Sequence, residues 1–197
     1  SDIAVICREQ SLTYSQLWHQ SEAAAGYILE KCTTQNPVLI YGNKELEILA
    51  LMIACLKTGH AYVPLDITYP QERVCNICQD VEAELVFNCS EISLDMNSDV
   101  QVLEREQIKK ILQQPCQKEI SDERYVKEED NCYILFTSGS TGKAKGVQIN
   151  RRNIENFVGW FSRECLEKQE NGIVMNQVSY SFDVSVIPLY IFLGAGK

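Results

Sequence analysis

Cys132-Tyr-Ile-Leu-Phe-Thr-Ser-Gly-Ser-Thr-Gly-Lys-Ala-Lys-Gly-Val-Gln-Ile-Asn150 is the stretch whose reading decides the fold. Tyr133 to Phe136 is a short apolar run of aromatic and branched residues, which predicts a buried strand. The run stops at Thr137, and seven of the ten residues from Thr137 to Gly146 are Gly, Ser or Thr, with Lys143 and Lys145 among them. Glycines let a backbone approach a ligand closely and aim successive N–H groups at one anion. The hydroxyls of Thr137, Ser138, Ser140 and Thr141 add donors and the lysines add charge, so the stretch suits a polyphosphate. A plain Gly/Ser-rich surface turn is the competing reading. The density of converging donors directly after a strand favours the phosphate.

The loop is not a Walker P-loop, since only Ser140 and Thr141 separate Gly139 from Gly142-Lys143 where that pattern needs four residues. A Gly-x-Gly-x-x-Gly dinucleotide fingerprint is also lacking. Working outward, the 197 residues are 45% hydrophobic, enough for one sizeable core or one part of something larger. A formal net charge of -9 argues against a nucleic-acid partner held on a basic surface. The longest apolar run, residues 48–56, falls well short of the roughly 20 residues of a membrane span, so no membrane insertion is expected. Nine cysteines, an odd number scattered through apolar patterns, read as reduced thiols of a cytoplasmic protein. Cys75-x-x-Cys78 has no second pair at zinc spacing, and neither His19 nor His60 has a partner suggesting catalysis, so no metal site is assigned.

Upstream, Leu17, Ala24, Ala25 and Ile28 predict a helix that Thr13 or Ser15 can cap. Strands are expected at 38–41, at 61–63 closed by Pro64, and at 85–88. Between them lie an all-round apolar helix, 45–58, stopped by Gly59, and an amphipathic helix that Pro70 opens. This alternation predicts an α/β fold with a mostly parallel sheet flanked by helices. Residues 90–130 read as a solvated connection with a charged helix at 104–114. After the loop come a strand at 147–149, a helix at 151–167, a strand-like 173–176 and a helix beginning in 181–193.

Tyr180-Ser-Phe-Asp-Val-Ser185 sets one acid between apolar residues at a predicted strand-to-helix handover. Asp183 can cap the helix, the simpler reading of these residues alone. It can equally face a pocket and pair with a substrate ammonium group.

The stretch 137–146 resembles the Thr-Ser-Gly-Ser-Thr-Gly-x-Pro-Lys-Gly signature of the adenylate-forming superfamily, with Ala144 in place of the usual Pro. That change loosens a turn without removing a phosphate ligand. Leu12 to Leu17, Leu56 to Asp66 and Phe182-Asp183-Val184-Ser185 look like three further motifs of the family in the expected order. The resemblance implies that Thr137, Ser138, Gly139, Ser140, Thr141, Gly142 and Lys145 hold the phosphates of ATP, with Mg2+ completing the clamp. It also implies that Asp183 binds the α-amino group of an amino acid. Residues 38–42, 59–62, 176–177 and 181–183 are most similar to ligases that load D-alanine onto a phosphopantetheinylated carrier protein for the D-alanylation of teichoic acids. A nonribosomal peptide synthetase adenylation domain shares most of these positions. The resemblance implies that residues 1–197 form the N-terminal portion of such a domain, inactive alone, with no catalytic residue assigned within it.

Overall fold

The computed structural model describes residues 2–96, 99–115, 120–138, 144–165 and 173–194. A two-stranded hairpin, β1 (Ile3–Cys7) and β2 (Gln10–Thr13), opens the chain. The helix α1 (Tyr14–Lys31) follows, and Thr13 is its cap: its hydroxyl accepts from the Gln16 backbone while the Gln16 side chain accepts from the Thr13 N–H. Then come β3 (Val38–Tyr41), α2 (Glu47–Lys57), β4 (Tyr62–Leu65), α3 (Gln71–Asp80), β5 (Leu85–Asn88), β6 (Gln101–Glu104) and α4 (Arg105–Leu112). The strand before the Gly-rich loop is β7 (Asn131–Ser138), its return is β8 (Ala144–Asn150), and α5 (Arg151–Cys165) follows.

Six strands form one sheet in the order β6-β5-β3-β4-β7-β8, parallel except for the β7–β8 pairing. The expected mostly parallel α/β sheet is therefore the fold. In β3, Val38 and Ile40 join a core shared with α1, α2 and α4, whereas Leu39 and Tyr41 join a second core with α3. Both sheet faces are covered, which is why Val-Leu-Ile-Tyr is a continuous apolar run and not an alternating one.

Two glycines carry backbone requirements. Gly59 ends α2 with φ +77, as its position after the apolar helix predicts. At Gly42 a Cβ would lie 2.8 Å from Ile48 Cδ1 and 3.1 Å from Cys89 Cβ, so the turn after β3 needs a residue without a side chain.

The structure corrects several expectations. Pro64 lies inside β4 and does not close it. Val38 N–H donates to Ala61 O and Gly42 N–H to Leu65 O, so by the alternation of a parallel ladder the missing N–H of Pro64 faces β7. The β4–β7 register is the single pair Tyr62 with Tyr133, so that ladder stops short of the proline. Pro70 is the cap of α3, one residue before its first turn. Residues 90–130 are more than a solvated connection, for β6 is a sheet strand and Ile108, Ile111 and Leu112 of α4 are buried. Residues 173–176 belong to no strand among the described residues, with Ile173 91% and Met175 80% exposed. The single helix expected in 181–193 is instead a 3-10 turn, Asp183–Ser185, followed by a π-helix, Ile187–Leu193, with Pro188 at its start.

His60 is buried, with Nδ1 2.9 Å from Thr58 Oγ1 and Nε2 3.0 Å from Thr34 O. Burial holds its imidazole below the usual range, despite the opposing pull of its contacts with Thr34 and Thr58 and of the Glu84 charge. A depressed histidine stabilises the fold above its unfolded value of about 6.5, and this contribution is lost as pH falls through its lower folded value. Between pH 7 and 5 the urea midpoint of the chain should fall, and His60→Gln should flatten that slope. Equal slopes in both proteins would exclude His60 as the source.

Candidate functional site

The carboxyl ends of parallel strands are where open α/β sheets bind ligands, and here the segments after β3, β4 and β7 leave those ends. After β7 the chain turns back as an antiparallel hairpin, with Thr137 opposite Lys145 and Ser138 opposite Ala144. Thr137 and Lys145 are both exposed, and the Thr137 hydroxyl lies 3.4 Å from Lys145 O. Gly139, Ser140, Thr141 and Gly142, expected to cradle phosphate, lie outside the described residues. Of the expected phosphate ligands, then, Thr137, Ser138 and Lys145 are strand residues at the mouth of the hairpin. Gly146 lets the return strand pass close to β7, since a Cβ there would lie 3.0 Å from Ile134 Cγ2 and 3.1 Å from the Phe136 ring. From α3, Arg73 donates to Phe136 O at 3.2 Å and stacks 4.0 Å over the Tyr69 ring, which pins the last turn of the strand before Thr137.

Asp183 lies in the described segment 173–194, which follows α5 in the chain. Its carboxylate is exposed, and Oδ1 accepts the Val184 N–H at 2.9 Å. The cap position is Phe182, which makes no side-chain capping bond, so Asp183 sits inside the turn and not at its cap. This leaves its second oxygen without a hydrogen bond among the described residues. The Asp183 charge reaches Tyr133 on β7, whose phenol is pushed up to about 12 by burial first, then by Cys132 and Asp183. Tyr133 itself stacks between Tyr62 and Tyr190, and those two share a hydroxyl hydrogen bond of 2.8 Å.

Two residues that the sequence did not single out hold the Asp183 segment. Lys44, just after β3, donates to Asn176 Oδ1 at 3.0 Å and lies 3.9 Å from the centroid of the Tyr180 ring. Burial lowers its ammonium to about 8, opposed by Cys7 and Asp66. Asp66, the first residue after β4, accepts from the Ser179 hydroxyl through Oδ2. Its Oδ1 accepts from the N–H and hydroxyl of Thr68 at 3.0 and 2.8 Å. Burial alone would raise the Asp66 carboxyl, but these bonds and the Lys44 charge hold it below its usual value. The sequence signals were position, since each follows a predicted strand by three residues, and for Asp66 its place at the end of the motif-like stretch Leu56 to Asp66.

A cleft of about 480 Å³ lies beside Lys44, lined by apolar residues of β1 and of the π-helix. Thr137, Lys145 and Asp183 do not line it. Cys75 and Cys78 sit on α3 as free thiols, the second raised to about 11 by burial and by Cys75, and no metal-binding cluster of His, Cys, Asp or Glu occurs among the described residues. No helix among them is long and apolar enough to cross a membrane.

The chain as a whole is similar to known proteins. A D-alanine--D-alanyl carrier protein ligase from Bacillus licheniformis is 36% identical over 196 residues, covering 98% of this chain. The chain spans 38% of the length of that relative. The fold is shared with the nonribosomal peptide synthetase FmoA3, solved with AMPPNP, at a TM-score of 0.85 and 22% identity over 98% of this chain and 20% of that one. It is shared also with VinN, solved in complex with L-aspartate, at a TM-score of 0.83 and 17% identity over 98% of this chain and 56% of that one. The family model for AMP-binding enzymes matches residues 1–197, and the chain belongs to that family.

Proposed function

We propose that this chain is the N-terminal portion of an adenylation domain in an ATP-dependent ligase. The enzyme activates D-alanine, or another small amino acid, as an aminoacyl adenylate and transfers it to the phosphopantetheine thiol of a carrier protein. The observation that carries the reading is the exposed Asp183 carboxylate, with one oxygen uncommitted among the described residues, on a segment fastened just beyond the carboxyl ends of β3 and β4, its charge reaching Tyr133 of β7. The 36% identity to a named D-alanine ligase supports the choice of amino acid. D-alanylation of teichoic acids, from a cytoplasmic location, is the role that this choice implies.

In the first half-reaction the amino-acid carboxylate attacks the α-phosphorus of ATP, forming an aminoacyl adenylate and releasing pyrophosphate. Such chemistry depends mainly on positioning and on neutralising charge. Thr137, Ser138, the loop 139–142 and Lys145 would hold the departing phosphates, and Asp183 would fix the amine. Mg2+ when bound would neutralise phosphate charge. Among the described residues no cluster of three or more His, Cys, Asp or Glu side chains is placed to hold a metal ion.

Amino-acid-dependent ATP–pyrophosphate exchange by the natural polypeptide containing this sequence tests the reading. Exchange dependent on D-alanine is the expected result. Dependence on a different amino acid would point to peptide synthesis, and no exchange with any amino acid would leave only a nucleotide-binding module.

A further inference from the structure

Residues 173–182 have little of their own to hold them in place. They belong to no strand, and Ile173 and Met175 point into solvent. Yet Asp183 must meet a substrate ammonium within hydrogen-bonding distance if it is the amine ligand. We propose that Lys44 and Asp66 are positioning residues for amino-acid binding, clamping residues 176–181 to the ends of β3 and β4 and thereby fixing Asp183. The proposal rests on the reading of Asp183 as the amine ligand and adds two residues to it.

The clamp has two points of attachment. Lys44 holds Asn176 by its ammonium hydrogen bond and Tyr180 by the face of its ring. Asp66 holds Ser179, whose hydroxyl also lies 3.1 Å from Ser181 Oγ. Ser179 passes the constraint forward: its carbonyl accepts the Phe182 N–H at 3.1 Å, and the Phe182 carbonyl accepts the Ser185 hydroxyl at 2.7 Å and the Ser185 N–H at 3.1 Å. Asp183 lies inside that closed turn. The anchors are themselves fixed. The Glu45 carboxylate accepts the Asn43 N–H at 2.6 Å, the Cys7 thiol donates to Lys44 O at 3.0 Å, and Thr68 orients the Asp66 carboxylate. Side chains carried on strand ends give more precise positions than the loop could provide alone.

The test uses the natural polypeptide that contains this sequence, as wild type, Lys44→Met, Lys44→Arg and Asp66→Asn. Hydrogen exchange of amides 177–185 should quicken about tenfold in Lys44→Met and Asp66→Asn, the size expected for a lost charge-assisted hydrogen bond. Sheet amides should keep their wild-type rates. In pyrophosphate exchange, KM for the amino acid should rise about tenfold, with KM for ATP and kcat within about twofold of wild type. Lys44→Arg, which keeps the cation and a donor, should restore much of the loss. Unchanged exchange at 177–185 in both variants would overturn the clamp, as would an equal rise in both KM values. Hydrogen exchange needs no substrate, so it judges the clamp alone. Asp183→Asn with a wild-type amino-acid KM would instead remove the amine reading while leaving the clamp's mechanical result intact.

Discussion

Lys57→Met should lower the unfolding free energy of the chain by about 3–5 kcal/mol, one of the two largest effects we expect from a single substitution. Lys57 on α2 and Glu22 on α1 form an ion pair whose side chains are 4% and 2% exposed. The second Glu22 oxygen accepts the Ile120 N–H at 2.7 Å, and the Lys57 ammonium lies 3.2 Å from the centre of the Trp18 ring. Surface pairs elsewhere, such as Lys109 with Glu106, are exposed and worth little. This one differs because removing the lysine leaves a carboxylate inside the core with one hydrogen-bond donor, the Ile120 N–H, among the described residues. For a chain of this size the loss corresponds to roughly 6–20 °C in Tm. Replacing both charges, Glu22→Leu with Lys57→Met, should recover most of it, since an apolar pair carries no desolvation cost. A Lys57→Met chain within about 1 kcal/mol of wild type in urea titration would show that the pair is solvated in solution.

That ion pair marks the boundary of what the sequence could reveal. Both residues lie in helices that periodicity located, but a Glu and a Lys 35 positions apart give no sign of meeting in a core. Strands with a continuous apolar run were plain, as at β3 and β5, because burial on both sheet faces leaves no polar residue to dilute the pattern. Strand β6 was obscured because it lies at the sheet edge with Gln101 and Glu104 exposed, so only Val102 and Leu103 carried signal. The hairpin β1–β2 turns through Arg8-Glu9 with Arg8 at φ 56, a conformation usually announced by Asn or Gly. For the candidate site, composition and local order were what singled out the Gly-rich stretch and Asp183. Lys44, Asp66 and Arg73 act through contacts spanning 132, 113 and 63 residues, and no local pattern encodes such distances.

Asp183→Asn should reduce kcat/KM for the amino acid by about 100-fold or more in the natural polypeptide, while leaving KM for ATP near wild type. Once bound substrate shields this exposed carboxylate from water, losing one partner of an ammonium–carboxylate hydrogen bond costs roughly 2–5 kcal/mol, and about 1.4 kcal/mol is tenfold. Asparagine keeps the size of the side chain and an oxygen for the Val184 N–H, so the 3-10 turn survives and the charge alone is tested. A helix-capping aspartate predicts the opposite pattern: a small loss of stability and no change in substrate preference. The cleanest discrimination comes from pairing the substitution with a substrate lacking the amine. Wild type should strongly prefer D-alanine over propionate, whereas Asp183→Asn should lose most of that preference, because the two changes remove opposite halves of one contact. If the amine and the carboxylate do not touch, the two losses will add independently and the preference will persist. That outcome would return Asp183 to a purely structural role and leave the hairpin of β7 and β8 as the part of the site to which chemistry can still be assigned.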